Sequence, residues 1–443
     1  MRALHVHSEK TPGSVANGAP IPQELKPEAI WTWRRWHLWL AAAGLLIRIA
    51  YCLTVSKESS FAGWDGKEYF AYAQSLLSLR WDAYPRYFNS IRPPFYPIFL
   101  LPFVAINDQV VWPIQLAQSL IGVSQAFILA HIAGRWRGQR AGNWAFVIVL
   151  FHPFLIFYCG FILTETVFIA LLWGGIACLQ RLNEPQPKNP IRWLTCGGVA
   201  LALACLTRAP LQLFLPVAAL WIGWRALRNS GWFLALKSAA CFTLIVSALL
   251  LPVMARNYWV HGEFSLAPGG GPEMFAWGNS PEYLRLNEAR TKNEYYEIQD
   301  QLVTRLARTS SASLGQWEDE VRDFRQNHPR DWWRLQWYKF EHFWTPWLNP
   351  LIFSRMNFLL SLLVNTPLFL MAGVELVRRS WQRDSFIILL LGVIAVGYVV
   401  GGLLFQVQVR YRIPYVDVAF ILLAASLMAS LSQRRYLARP ARS

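Results

Sequence analysis

Residues 95–106 read FYPIFLLPFVAI, apolar throughout but broken by Pro97 and Pro102. A helix that crosses a bilayer takes about 20 mostly apolar residues, and this run has 12. Whether it crosses decides the sidedness of everything after it. Ten other runs are long or apolar enough to span: 37–55, 113–133, 142–159, 161–181, 193–207, 210–226, 237–254, 357–377, 385–405 and 413–432. Charge settles the short run. The loop holding Arg135, Arg137 and Arg140 has no acid, and neither has the loop holding Arg225, Arg228 and Lys237. Arg181, Lys188 and Arg192 flank a third loop, and Arg378, Arg379 and Arg383 mark a fourth. The ends carry Arg34 and Arg35, then Arg434 and Arg435. Positive loops stay on the cytoplasmic side, and all six basic regions can do so only if 95–106 does not cross. The short run is therefore expected as an interfacial helix or a re-entrant hairpin over 95–112, which gives ten crossings with both termini inside.

Composition agrees with a polytopic membrane protein. Of 443 residues, 54% are hydrophobic and 15% charged, against roughly 25% charged in ordinary soluble domains. Twenty-three Trp and 27 Phe suit a chain with long membrane interfaces. The net charge of +16 is spread over short loops rather than one stripe, which argues for topology and against a nucleic-acid partner. The six Cys (52, 159, 178, 196, 205, 241) lie in or beside apolar runs with no CxxC pair, which reads as small core or lipid-facing residues and argues against a disulfide or metal framework.

The expected organisation is a disordered cytoplasmic tail over 1–36 and a transmembrane module over 37–254 with an outer loop at 56–112. An extracytoplasmic loop domain follows over 255–356, then C-terminal transmembrane helices over 357–432 and a basic tail over 433–443. The first apolar run lacks a small-residue cleavage site after it, so it reads as a retained helix. The large loop is nearly balanced in charge and mainly helical in pattern. Trp332, Trp333, Trp337, Phe340 and Trp344 recur there at helical spacing, an aromatic face for docking on the membrane or on other loops.

This topology sends the unusual residues to the outer face. Asp65 lies in WDGKEYFAYAQSL, and Glu165 in FYCGFILTETVF, where two apolar runs meet with almost no loop. A carboxylate removed from water is costly, so an acid at such a junction is a functional candidate. The remaining outer motifs follow in order: Arg92-Pro93-Pro94-Phe95-Tyr96-Pro97, Leu206-Thr207-Arg208, Arg256-Asn257-Tyr258, the Gly-rich turn Pro268–Gly271, Trp277-Gly278-Asn279, and Arg410-Tyr411-Arg412-Ile413-Pro414. The turn reads equally as a mobile lid or as an ordinary turn. Arg48, inside the first span, has no role assigned by the sequence.

In order, spacing and sidedness these motifs resemble the integral-membrane glycosyltransferases of the GT-C fold. The nearest likeness is to the dolichyl-phosphate-mannose protein mannosyltransferases and the lipid A aminoarabinose transferases. The resemblance implies an all-α bundle of about ten transmembrane helices with outer-face interfacial helices. It also implies sugar transfer from a polyprenyl-phosphate donor to a glycolipid, polysaccharide or protein acceptor outside a bacterial inner membrane. On that likeness Asp65 is the catalytic carboxylate, Glu165 the second acid, and Arg92 a holder of the lipid phosphate. Arg412 corresponds best to the basic residue of the last corner. From their own positions Arg208, Arg256 and Arg410 are further candidate phosphate cations, though Arg208 reads equally as an interfacial anchor and Arg256 also as the mark of where the long loop leaves the bilayer. Many relatives place an acid directly after the first Asp; here Gly66 follows, and Glu68 becomes a rival for a supporting role.

The residue types fit that chemistry independently. Displacing a phosphate from an anomeric carbon needs a base near the acceptor hydroxyl and cations near the leaving oxygen. Arginine suits a fixed phosphate because its planar fork donates two parallel hydrogen bonds. No P-loop occurs, and no His/Asp/Glu cluster has metal-ligand spacing, so no cofactor or obligatory metal is expected; a carboxylate pair could still hold one divalent cation. A flippase or transporter of lipid-linked sugar, and a ligase or polymerase of diphosphate-linked glycans, are the alternatives. Transporters usually show internal repeats and mid-membrane ionisable residues, and this sequence shows no repeat.

Overall fold

A computed structural model describes residues 31–61, 64–78, 92–107, 111–184, 187–268, 270–308, 314–380 and 384–437. Residues 1–30 of the expected tail, Gly269 of the Gly-rich turn, Arg383 and the tail beyond 437 lie outside the described residues. Among those described, every regular element is helical. The main ones are α1 (Arg35–Thr54), α2 (Trp64–Leu77), α3 (Phe95–Ile106), α4 (Trp112–Phe151), α5 (Glu165–Gln180), α6 (Pro190–Cys205), α7 (Phe214–Ser230) and α8 (Trp232–His261). Five helices follow between residues 270 and 344: α9 (Gly270–Gly278), α10 (Pro281–Glu288), α11 (Lys292–Arg308), α12 (Leu314–Asn327) and α13 (Pro329–Trp344). The chain ends in α14 (Arg355–Ser380), α15 (Ser385–Tyr398) and α16 (Val418–Leu437).

Among the described residues, eight helices are long and apolar enough to cross a membrane. One of these, the 40-residue α4, is two helices: Arg137 and Gly138 leave helical geometry, and Gly138 takes φ +80°, a conformation glycine adopts without steric cost. The halves run antiparallel, with the rings of Phe127 and Phe146 5.0 Å apart. With α4 folded in two and the shorter α6 counted, these are the ten runs read from the sequence. The expected span 142–159 differs in detail. Its helix stops at Phe151, ahead of Pro153, and continues as short turns to Gly160.

Arg48 finds its role at that stop. It is buried, and its guanidinium donates to the carbonyls of Leu150 at 2.7 Å, Gly44 at 3.1 Å and Val149 at 3.4 Å. The last carbonyls of a helix lack intrahelical donors, and a buried cation here supplies them. Arg48 is thus a helix cap inside the bundle.

The predicted basic loops gather at one end of the bundle. Arg135 pairs with Glu184, Arg137 meets Asp384 at 2.5 Å, and Arg225 donates to the Asn183 carbonyl at 3.0 Å. Trp31 reaches Asn143 at the same end. The short run sits at the opposite end. The Phe95 amide donates to the Leu206 carbonyl at 2.9 Å, beside Arg208. Gln115, one turn into α4, donates to the Gly160 carbonyl just ahead of Glu165. The chain therefore enters and leaves α3 at the same end, which is the parity the charge argument requires. Twelve helical residues rise about 18 Å, too little for a bilayer core. Instead α3 packs on α2 over a small core of Tyr69, Phe70, Ala73, Tyr96, Leu100 and Val104.

The aromatic helix α13 is split in its duties. Leu335, Lys339 and Phe343 are buried, and Trp344 stacks on Tyr398. Trp333, Trp337 and Phe340 face outward instead.

Candidate active site

Asp65 is in the first turn of α2, and Glu68, Tyr69 and Tyr72 fall on the same helical face by their three- and four-residue spacing. Glu165 is the first residue of α5, where the positive end of the helix dipole favours a carboxylate. Arg208 occupies the extended residue between α6 and the 3-10 turn Ala209–Leu213. Arg410 stands on a four-residue helical turn, Val409–Arg412, held between two π-helical stretches, Val399–Leu404 and Ile413–Asp417. Such wide turns re-aim side chains and recur at functional sites.

These parts of the chain join in one ladder of alternating charge. Arg92 lies 2.6 Å from both Glu68 Oε2 and Asp65 Oδ1. Arg410 reaches Asp65 Oδ2 at 2.5 Å and stands 3.6 Å from Glu165 Oε1. Arg208 closes the series, 2.9 Å from Glu165 Oε1, and donates to the Arg410 carbonyl at 3.2 Å. The order is Glu68, Arg92, Asp65, Arg410, Glu165, Arg208. Tyr69 faces the Arg92 guanidinium and Tyr411 that of Arg208, which adds apolar and cation–π support. These two tyrosines were not singled out from the sequence, although Tyr69 stands one turn from Asp65.

The ladder separates its acids. Burial alone would push the Asp65 carboxyl up, but Arg410 and Arg92 together outweigh it and hold the group well below the usual carboxylate range. Burial raises Glu68 above its ordinary value, and Arg92 only partly offsets that. Glu165 is fully buried, with Oε1 in the ladder and Oε2 without a hydrogen-bond partner among the described residues.

Residues 86–266 match the family model described as dolichyl-phosphate-mannose-protein mannosyltransferase. The match takes in Arg92, Glu165, Arg208 and Arg256. The search of curated proteins gave no match. Two solved structures of the Archaeoglobus fulgidus oligosaccharyltransferase superpose on 92% of this chain with a TM-score of 0.52. One, at 12% identity, is tethered to an acceptor peptide containing the NVT sequon; the other, at 13%, holds an inhibitory peptide and a dolichol-phosphate. This chain has the GT-C fold. It spans about half the length of those oligosaccharyltransferases, 51% and 52%.

Within this GT-C chain, the departure after Asp65 has a steric reason. The Gly66 amide donates to the Phe61 carbonyl, and a Cβ at position 66 would lie 2.3 Å from that oxygen. No side chain fits there. The second acid of α2 appears instead at Glu68, on the ladder side of the same turn.

The last corner needs a correction. Arg412, the position matched best from the sequence, points away from the ladder. It is 1% exposed, its Nε is 2.8 Å from Asp417 Oδ1, and its Nη1 donates to the carbonyls of Phe343 and Thr345. Arg410 is the arginine of that corner that joins the ladder. Asp417 was missed, although an acid inside an apolar run was the signal that could have found it. Arg256 also stays outside the ladder: it bonds the neighbouring Asn257 side chain at 2.9 Å and lies within electrostatic range of Tyr72.

The helices between 270 and 344 hold Arg410 in place through Trp277-Gly278-Asn279. A Cβ on Gly278 would sit 2.4 Å from the backbone of Phe405 and Gln406. Asn279 donates to the Leu404 carbonyl at 2.9 Å, and the Tyr283 hydroxyl accepts from the Val407 amide at 2.8 Å. Buried Lys339 donates to Leu403 at 2.6 Å and to Asn279 Oδ1 at 3.1 Å, and burial brings its ammonium down to about 7. The stretch leading into Arg410 is thus clamped from the helical segment.

A divalent cation does not fit this arrangement. Among the described residues no group of three His, Cys, Asp or Glu is set to hold a metal ion. Both Asp65 oxygens, one Glu68 oxygen and one Glu165 oxygen already face guanidinium groups.

Proposed function

We propose that this chain is a glycosyltransferase that moves a sugar from a polyprenyl-phosphate donor to an acceptor hydroxyl at the ladder end of the bundle. The observation that carries this reading is the convergence of Arg92, Arg208 and Arg410 on Asp65 and Glu165, on a GT-C fold. The family match over 86–266 supports a lipid-phosphate-linked donor. In this reading the ladder end faces the extracytoplasmic side of a bacterial inner membrane. The acceptor is a glycolipid, an exported polysaccharide or a protein.

An arginine shared between two carboxylates is poised to change partners. A donor phosphodiester arriving between Arg92 and Arg410 draws Arg92 away and shares Arg410 with Asp65, and Arg208 stands at the end of the ladder as a further cation. Asp65, released from Arg92 and still held by Arg410, regains part of the basicity that the two arginines together suppress. It then orients the acceptor hydroxyl and takes its proton as the new bond to the anomeric carbon forms. The phosphate departs with the electron pair of the broken bond onto the waiting arginines. A single displacement of this kind inverts the anomeric configuration, and a retained product configuration by NMR counts against it.

The test uses purified protein in nanodiscs, a panel of radiolabelled polyprenyl-phosphate sugars and a membrane extract as acceptor. Wild type should transfer label, and Asp65→Asn should lose about 10²- to 10⁴-fold in rate, the usual contribution of a general base. Equal transfer by both proteins removes Asp65 from the mechanism. Lipid moved across the bilayer without cleavage identifies a flippase instead.

A further inference from the structure

Charge neutrality in the ladder constrains how it can bind a phosphate. Among the described residues it holds three carboxylates and three guanidinium groups, so the empty ladder sums to zero when all are ionised. It is largely shielded from water: side-chain exposure is 18–22% at Asp65, Glu68, Arg92 and Arg410, 10% at Arg208 and zero at Glu165. A phosphodiester brings one negative charge. Leaving that charge unbalanced in a low-dielectric site is costly, so something must compensate it.

We infer that donor binding is coupled to the uptake of one proton, and that Glu68 carries it. This rests on the donor reading above and deepens it. The three carboxylates differ in what holds their charge. Asp65 has a guanidinium on each oxygen. Glu165 has Arg208, a more distant Arg410 and the N-terminus of α5. Among the described residues, Glu68 has only Oε2 engaged, on an arginine that it shares with Asp65. When the phosphate draws Arg92 away, Glu68 loses its one partner while still mostly buried. Among the described residues, the charged groups that act on it are Asp65 on its own helix, Arg92 ahead of α3 and Arg410 from the far corner; Tyr69 follows it on the helix, with Tyr96 of α3 packed on that ring. Tyr69 and Tyr96 are phenols pushed upward by burial, so neither supplies the compensating charge. The upward direction of the Glu68 carboxyl in the empty ladder agrees with this assignment.

The balance then holds through the reaction. With Glu68 neutral, the loaded ladder sums to zero. The acceptor O–H proton passes to Asp65 as the oxygen–carbon bond forms. The carbon–oxygen bond to phosphate breaks with its electron pair on the phosphate, which becomes a dianion as Asp65 becomes neutral. The sum stays at zero without a metal or any further ion.

The sign follows from linkage. Between the Glu68 pKa of the empty ladder and its higher pKa in the loaded one, binding takes up a proton. Affinity therefore falls as pH rises, by about tenfold per pH unit within that window. The probe is a polyprenyl methyl phosphodiester, whose charge is fixed at one, titrated calorimetrically into nanodisc-embedded protein in two buffers of different ionisation enthalpy. Wild type should take up about one proton per bound probe. Glu68→Gln should bind with no uptake and no pH slope. An infrared difference spectrum should show a protonated-carboxyl band on binding that moves with ¹³C-glutamate labelling and not with ¹³C-aspartate. Binding to wild type without proton uptake overturns the inference and spares the donor reading, as does a band that follows aspartate. Uptake that persists in a folded Glu68→Gln also overturns it. No saturable binding to wild type sinks the donor reading and this inference with it. If Glu68→Gln does not fold, the wild-type calorimetry and labelling decide alone.

Discussion

Arg410 and Arg412 stand two residues apart on one helical turn and do opposite work. Arg412 is saturated: one carboxylate, Asp417, and backbone carbonyls from the end of α13 surround its guanidinium, and both members of the pair are almost fully buried. Arg410 is shared: it reaches Asp65 and Glu165, each of which also answers to another arginine. A saturated buried pair has no state to exchange with, and breaking it leaves an uncompensated charge. A shared ladder can trade one anion for another at low cost. Two arginines of the same type on the same turn thus separate into a fastener and a receiver, because one side chain points into the bundle and the other into the gap between α2, α5 and α6.

The sharpest way to break that contrast is Arg412→Met. It strands Asp417 and several carbonyls, and should destabilise the protein by about 3–5 kcal/mol, read as a lowered thermal midpoint in detergent. A midpoint within a degree of wild type would show that Arg412 is no fastener. Arg410→Gln should do the reverse. Stability should fall by about 1–3 kcal/mol, less than in Arg412→Met, because Asp65 and Glu165 each keep a second arginine. Sugar transfer should fall by about 10²- to 10³-fold, the scale for losing one donor aimed at developing charge. Equal losses of stability in the two variants would erase the distinction. Gly278→Ala tests how the receiver is held. The added methyl must push on the Phe405–Gln406 backbone, at a cost of about 1–3 kcal/mol. Turnover should drop while the Arg412–Asp417 pair is untouched. If turnover is unchanged while the midpoint falls, the clamp supports the fold and not Arg410.

Much of this was legible in the sequence because the bilayer leaves so few choices. Apolar length and the placement of Lys and Arg were enough to find ten crossings, to keep 95–106 from being one of them, and to bring Asp65, Arg92, Glu165 and Arg208 to a common end. The helix break at Arg137-Gly138 lay inside a predicted loop and agrees with it. Local hydropathy has no access to orientation around a helix axis, however. Hydropathy therefore passed over Asp417 and left Arg48 without a role, and the family likeness, equally blind to orientation, ranked Arg412 above Arg410.

By itself, the sequence determined the class of fold, which loops share an end of the bundle and the short list of charged residues from which a site could be built. Hydrophobic length and loop charge are additive along the chain and need no contacts to be read. Which arginine meets which carboxylate was decided only by the tertiary structure. Those distances depend on five segments far apart in sequence, and on where a glycine lets two backbones touch. Gly66 beneath Phe61 and Gly278 against Phe405 set positions that no periodicity encodes, and the ladder from Glu68 to Arg208 follows from them.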